Sequence, residues 1–260
     1  MIKRPEVMGR PGPLAFPLGV GLSNEVIMAD LADANMCHAL IGGTSGSGKS
    51  ELLKALVASL VSRNRVGELV LTIVDPKILT FAALNGSPFL SGPVITEVGE
   101  AVNRLKSAVV EMDRRYKQLD REGFENLSAR FASGRADVPF LVIIFDEFSD
   151  LVLAGKEEKK EFERLAKRLA AKGRAAGVHL VLSTQRPDRE VVTPLIKANL
   201  PLKICLRVTS GANSKIILDQ TGGETLFGRG DFLCDQGRGL VRGQALLVSP
   251  DDLNRVARGG

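Results

Sequence analysis

Eight consecutive residues, Gly43-Thr44-Ser45-Gly46-Ser47-Gly48-Lys49-Ser50, fit the pattern G-x-x-x-x-G-K-[ST] throughout. Their glycines permit tight backbone geometry, so successive N–H groups can turn inward onto phosphate oxygens. A helix that starts at the end of such a loop adds its positive N-terminal pole. In this setting Lys49 reaches the β- and γ-phosphates, and Ser50 ligates Mg²⁺. Further along, the apolar run Phe140–Phe145 ends in Asp146-Glu147. An Asp at a strand's C-terminal end can hold the Mg²⁺ through water, and a Glu next to it can orient and deprotonate an attacking water. The pair therefore favours hydrolysis over transfer to another acceptor.

Two more polar residues sit where this chemistry could use them. Gln185 follows the apolar run His179–Ser183. At the tip of a strand beside the phosphate-loop strand it could sense the γ-phosphate; it is equally an ordinary loop glutamine. Arg174 lies in Lys172-Gly173-Arg174-Ala175-Ala176-Gly177. It is either a cation against the negative end of the preceding helix or a finger for a neighbouring subunit's nucleotide.

The elements that must position these residues are short apolar runs alternating with helical patterns. The runs are His38–Ile41, Leu69–Val74, Phe140–Phe145, His179–Ser183 and Leu202–Val208. Most are nearly continuous rather than alternating, as in a parallel sheet covered on both faces. Helical periodicity predicts helices over Glu51–Arg63, Glu97–Asp120 and Lys156–Lys172. The class is therefore α/β, with a mainly parallel sheet flanked by helices. After Gly222, Gly228-Arg229-Gly230 and Gly237-Arg238-Gly239 bracket short apolar stretches, which predicts a C-terminal β-hairpin or edge strands. Residues 1–35, rich in Gly and Pro, read as an N-terminal extended arm with room for one hairpin, and residues 36–260 as a single domain.

Composition narrows the classes. The 260 residues are 44% hydrophobic and 25% charged, which excludes disordered and low-complexity chains. The net charge of +5 permits a nucleic-acid partner without demanding one. With 11 Phe, one Tyr and no Trp, base stacking along a single strand is poorly supplied. No apolar run has the length of a membrane span, and no apolar signal region follows the charged N-terminus, so a cytoplasmic protein is expected. Cys37, Cys205 and Cys234 show no metal-ligand spacing and read as reduced, buried thiols.

Taken together these stretches resemble the motor domain of the FtsK/SpoIIIE family of DNA translocases, within the FtsK–HerA group. The resemblance is carried by the phosphate loop, Val74-Asp75-Pro76-Lys77, Glu111–Tyr116, Val142–Glu147, Lys172–Gly177, Thr184-Gln185-Arg186-Pro187, Ile196–Asn199 and Ile217–Gln220. It implies a RecA-like P-loop ATPase core, ATP and Mg²⁺ as cofactors, and a ring, expected to be hexameric, with double-stranded DNA in its pore. It also implies that Arg174 acts in trans as an arginine finger and that Gln185 senses the γ-phosphate. Arg189 and Lys197 fall in the segment that leads toward pore-facing loops and are the candidate DNA contacts. No stretch matches the membrane helices, long linker, additional α-domain or winged-helix domain of septal members. The expected setting is thus a mobile element, phage or conjugation system, or an excised motor fragment. An ATPase energising protein secretion is the alternative, since its ATP chemistry would be identical.

Overall fold

The computed structural model describes residues 12–78 and 80–258. The first eleven residues of the expected arm lie outside the described residues. Nine strands form one sheet: β1 Ala15–Gly21, β2 Val26–Asp30, β3 Ala39–Gly42, β4 Leu69–Val74, β5 Phe140–Phe145, β6 Val178–Thr184, β7 Leu202–Leu206, β8 Asp231–Asp235 and β9 Leu240–Ala245. Their spatial order is β2-β1-β9-β8-β7-β3-β6-β5-β4. From β7 to β4 neighbouring strands pair parallel. From β7 to β2 they pair antiparallel. The predicted C-terminal hairpin is β8–β9, and its outer strand pairs with β1. Residues 15–30, expected within the arm, are therefore a hairpin hydrogen-bonded into the same sheet. Two features make this the stable arrangement. Leu14, Phe16 and Leu18 are fully buried, and an unpaired β9 edge would expose its ladder groups.

The helices are α1 Lys49–Arg63, α2 Val98–Glu122, α3 Leu127–Ala132, α4 Ser149–Ala154, α5 Lys156–Lys172, α6 Pro194–Lys197, α7 Gly211–Leu218 and α8 Pro250–Ala257. Strand residues alternate between two cores, as the pleat requires. On β5, Phe140, Val142 and Ile144 face the α1 and α8 side, while Ile143 and Phe145 face the α2, α4 and α5 side. This is why the central runs are apolar throughout. The parallel strands all end on one edge, and that edge carries the loops after β3, β5 and β6. In open α/β sheets, ligands bind at this carboxyl edge. Among the described residues no helix is long and apolar enough to cross a membrane. All three cysteines are free and buried, and burial pushes the Cys205 and Cys234 thiols up to about 12.

Candidate active site

β3 is central in the sheet and leads directly into the phosphate loop, with α1 starting at Lys49. The loop is anchored to both neighbouring strands. Gly43 N–H donates to Thr184 O at 3.1 Å and Thr44 N–H to Arg207 O at 2.9 Å. Gly48 has φ +100°, a left-handed conformation, and a Cβ there would lie 2.3 Å from Gly230 N. Only glycine fits such a position. The 228–230 turn backs the loop: Gly230 N–H donates to Ser47 O at 2.7 Å and Arg229 N–H to Gly46 O at 3.3 Å.

β6 lies between the phosphate-loop strand and the Asp146-Glu147 strand. Lys49, only 3% exposed, donates to the Asp146 carboxylate Oδ1 at 2.8 Å, to the Asp146 carbonyl and to Ser183 Oγ at 3.1 Å. Asp146 Oδ2 accepts from Thr80 Oγ1 at 3.0 Å, and that hydroxyl lies 3.5 Å from Ser50 Oγ. Asp75 holds Thr80 in place, its Oδ2 accepting the Thr80 N–H at 2.9 Å and the Phe81 N–H at 3.2 Å. Ser50 and Asp146 thus meet at one hydroxyl, and these hard oxygen donors suit Mg²⁺.

Glu147 is buried, and both of its oxygens are engaged. Oε1 accepts from Ser149 Oγ at 2.6 Å and Thr184 Oγ1 at 2.7 Å, and Oε2 accepts the Gln185 N–H at 2.7 Å. Gln185 lines the same cavity as Thr44, Lys49 and Ser50, a space of about 580 Å³. The structure therefore brings the phosphate loop, Asp146, Glu147 and Gln185 to one edge of the sheet.

Arg174 is elsewhere. It lies in the turn that precedes β6, whereas Gln185 follows β6. Seven strand residues at ~3.3 Å each separate the two by about 20 Å. The Arg174 turn is built with care. Arg115, buried, is held by Glu111 at 2.8 Å and donates to Ala176 O at 3.0 Å and Gly177 O at 3.3 Å. Arg174 itself is exposed.

The two candidate DNA contacts differ. Arg189 is exposed. Lys197 is half-buried at the surface and donates to Asp219 Oδ1 at 2.7 Å and Lys215 O at 2.8 Å. Its ammonium staples α6 to the end of α7. Sequence reasoning gave no site role to Thr80, Asp75, Ser149, Thr184, Arg229 or Gln244, although Asp75 and Thr184 lie in stretches that carry the resemblance and Arg229 in a predicted turn. None belongs to a motif whose spacing alone carries chemistry.

A phosphate loop with the Asp-Glu strand separated from it by one strand is shared by many ATPases. The match that decides runs over most of the chain: residues 1–189 fit the model of the FtsK/SpoIIIE family. The chain belongs to the FtsK/SpoIIIE family. It is 39% identical to DNA translocase FtsK 2 of Ralstonia nicotianae over 94% of this chain and 34% of that protein. It thus spans about a third of the length of this curated relative. Among solved structures, the pCW3 conjugation coupling protein TcpA with ATPγS superposes with a TM-score of 0.81 at 27% identity, covering 95% of this chain and 70% of TcpA. The cytoplasmic domain of the type VII secretion ATPase EccC of Thermomonospora curvata also gives 0.81, at 29% identity, covering 99% of this chain and 33% of EccC. The FtsK/SpoIIIE core seen here is accordingly that of a P-loop ATPase.

Proposed function

We propose that the protein hydrolyses Mg·ATP to drive double-stranded DNA through a cytoplasmic ring of its own copies, expected to be hexameric, and that residues 36–260 form the motor core. The observation that carries this reading is the placement of Arg174, exposed, at the opposite end of β6 from Gln185, a strand length of about 20 Å. An exposed arginine on a rigid turn, far from its own site, suits the nucleotide of a neighbour.

The geometry supports a role for each residue. The loop Gly43, Thr44, Ser45, Gly46, Ser47 and Gly48 cradles phosphates with its backbone N–H groups. Lys49 exchanges the Asp146 carboxylate for β- and γ-phosphate oxygens. Ser50 and Asp146, with Thr80 between them, hold the Mg²⁺, which when bound neutralises phosphate charge. Glu147 holds and deprotonates the attacking water. Arg174 of the adjacent copy stabilises charge on the transferred phosphoryl group. Gln185 reads the γ-phosphate and passes its state, through its backbone bond to Glu147, into the 186–199 segment. Arg189 is the DNA contact that segment offers, and a backbone contact of this kind reads no sequence.

ATP hydrolysis with and without long duplex DNA, at two salt concentrations, tests the reading. Stimulation by DNA that fades with salt supports it. Turnover indifferent to DNA favours a second reading, a secretion ATPase. That reading draws its weight from the 29% identity to EccC across 99% of this chain.

A further inference from the structure

Three large hydrophobic side chains stand in water on the antiparallel half of the sheet, beside the nucleotide cavity. Leu22, Phe227 and Leu247 are 85%, 82% and 81% exposed, more than any other large hydrophobic among the described residues. Leu247 lines the cavity, and Phe227 precedes the 228–230 turn that backs the phosphate loop. Leu22 follows Gly21, which pairs with Gly243 on β9. Phe227 is also held still. Its N–H donates to Asp231 Oδ2 at 2.8 Å. Arg242, gripped by both Asp231 oxygens at 3.0 and 2.7 Å, lies over the ring at 5.3 Å from its centre. The turn beyond is tied down by Gln244, whose Nε2 donates to the Arg229 carbonyl at 2.7 Å. An exposed aromatic fixed in advance loses little freedom on docking.

A hollow of matching chemistry lies beside Arg174. A groove of about 460 Å³ runs between α2 and α5, lined by Asp113, Tyr116, Lys117, Arg168 and Lys172. Tyr116 Oη donates to Lys172 O at 2.7 Å, and Arg168 donates to Asp113 Oδ2 at 2.6 Å, so the two walls are tied together. Lys117 and Lys172 are exposed and have no ion-pair partner among the described residues. Their apolar stems and the Tyr116 ring can cover an aromatic side chain, while their ammonium groups stay in water or face its π-surface. Arg174 is two residues beyond Lys172, and its charge reaches Tyr116: burial pushes that phenol up and Arg174 pulls it down. The groove borders Arg174 as Phe227 borders the phosphate loop.

We propose that Phe227 of one copy docks in the α2–α5 groove of the next, as the anchor of a head-to-tail contact. The inference rests on the reading that Arg174 serves a neighbour's nucleotide. Bringing Arg174 to a neighbour's phosphate loop brings the groove to that neighbour's Phe227. Knob and groove are different patches of one chain, so the contact is heterologous and can close a ring. A rigid aromatic entering a groove floored by Tyr and rimmed by cations has the make-up of an interface hot spot.

The experiment is disulfide trapping in the full chain. Phe227→Cys and Lys117→Cys are made as separate chains, mixed with ATPγS and long duplex DNA, and oxidised; the native cysteines are buried. The mixture should give about tenfold more linked dimer than either variant alone, because docking raises the effective concentration of the two thiols. Phe227→Cys mixed with Val66→Cys, a position exposed outside the groove, should give no such excess. Sedimentation supplies the second measurement. Phe227→Ala should raise the concentration needed for assembly about tenfold or more, with melting temperature and ADP affinity unchanged. Adding Lys117→Ala should then cost less than it does in the wild type, since the two act on one contact. No excess of linked dimer while the wild type assembles overturns the inference and leaves the ring standing, as does Phe227→Ala assembling like the wild type. If the wild type itself stays monomeric with ATPγS and DNA, the ring reading falls first, and this inference with it.

Discussion

The Glu147 carboxylate accepts the backbone N–H of Gln185 at 2.7 Å, joining the tip of β5 to the tip of β6. A shift of Gln185 must therefore move the group proposed to activate water. In Glu147→Gln the amide nitrogen can donate to the hydroxyls of Ser149 and Thr184 and its oxygen stays with the Gln185 N–H, so that only the long bond from Ser149 N–H at 3.3 Å is lost. The fold and ATP binding should survive, while hydrolysis falls by ~10²-fold or more. Equilibrium binding and steady-state turnover of the same preparation check both halves.

Thr184→Val removes one of the hydroxyls that fix Glu147 without touching the phosphate loop. It leaves a buried carboxylate oxygen short of a donor, a loss of about 1–3 kcal/mol of stability. Turnover should fall with the KM for ATP little changed, whereas Thr184→Ser should restore most of it. Urea unfolding and a KM-against-kcat comparison of the two variants make the test.

Lys49 and Asp146 form a buried ion pair at 2.8 Å. Removing one partner strands the other, at a cost of ~3 kcal/mol or more. Lys49→Met should therefore lose both nucleotide binding and stability. Adding Asp146→Asn should recover stability but not binding, since the charge is no longer stranded. Thermal melts of the single and double variants check this.

His38, just before β3, and His179, on β6, lie at the edge of the sheet opposite the site, with His38 Nδ1 bonded to Leu180 N and His179 Nδ1 to Cys37 O. Burial holds His38 down at about 3 and His179 at about 4, against an ordinary 6.5. The unfolded chain thus binds protons that the folded chain refuses between about pH 6.5 and 4. Stability contributed by the neutral rings is present above pH 6.5 and is lost as the pH falls through that window. Denaturant melts from pH 7 to 4.5 should show the decline, and His179→Gln should flatten it.

The phosphate loop, the Asp-Glu strand end and the five parallel strands were legible because each depends on local pattern. The ends of α5 and of β4 and β5 fall where periodicity placed them. Helices α3, α4, α6, α7 and α8 were missed because each is about one or two turns long. The starts of four of them are nonetheless marked by side-chain caps at Asn126, Thr193, Ser210 and Ser249. The place of β1–β2 was not legible, because strand pairing across more than 200 residues leaves no local trace. For the same reason Thr80 and Gln244 went unremarked, and Arg229 was read only as part of a turn. Each earns its place only through what the fold sets beside it.

The Glu111–Tyr116 stretch illustrates the reverse. It was recognisable as a motif, but its purpose emerges only from Arg115 reaching Ala176 O and Gly177 O. Arg115→Ala should loosen the turn that carries Arg174. ATP binding should remain, DNA-stimulated hydrolysis should fall, and the melt should shift by the loss of two buried carbonyl partners, about 2–3 kcal/mol.

The most direct test of a site shared between copies is to mix two inactive variants, Arg174→Ala and Glu147→Gln. Each alone should be nearly inert. A mixed ring contains interfaces where an intact Glu147 faces an intact Arg174 from its neighbour, so hydrolysis should return on mixing and peak near equal proportions. If the mixture stays as inactive as its components while both still bind ATP and assemble, Arg174 does not act on a neighbour's nucleotide, and the proposed composite site is wrong.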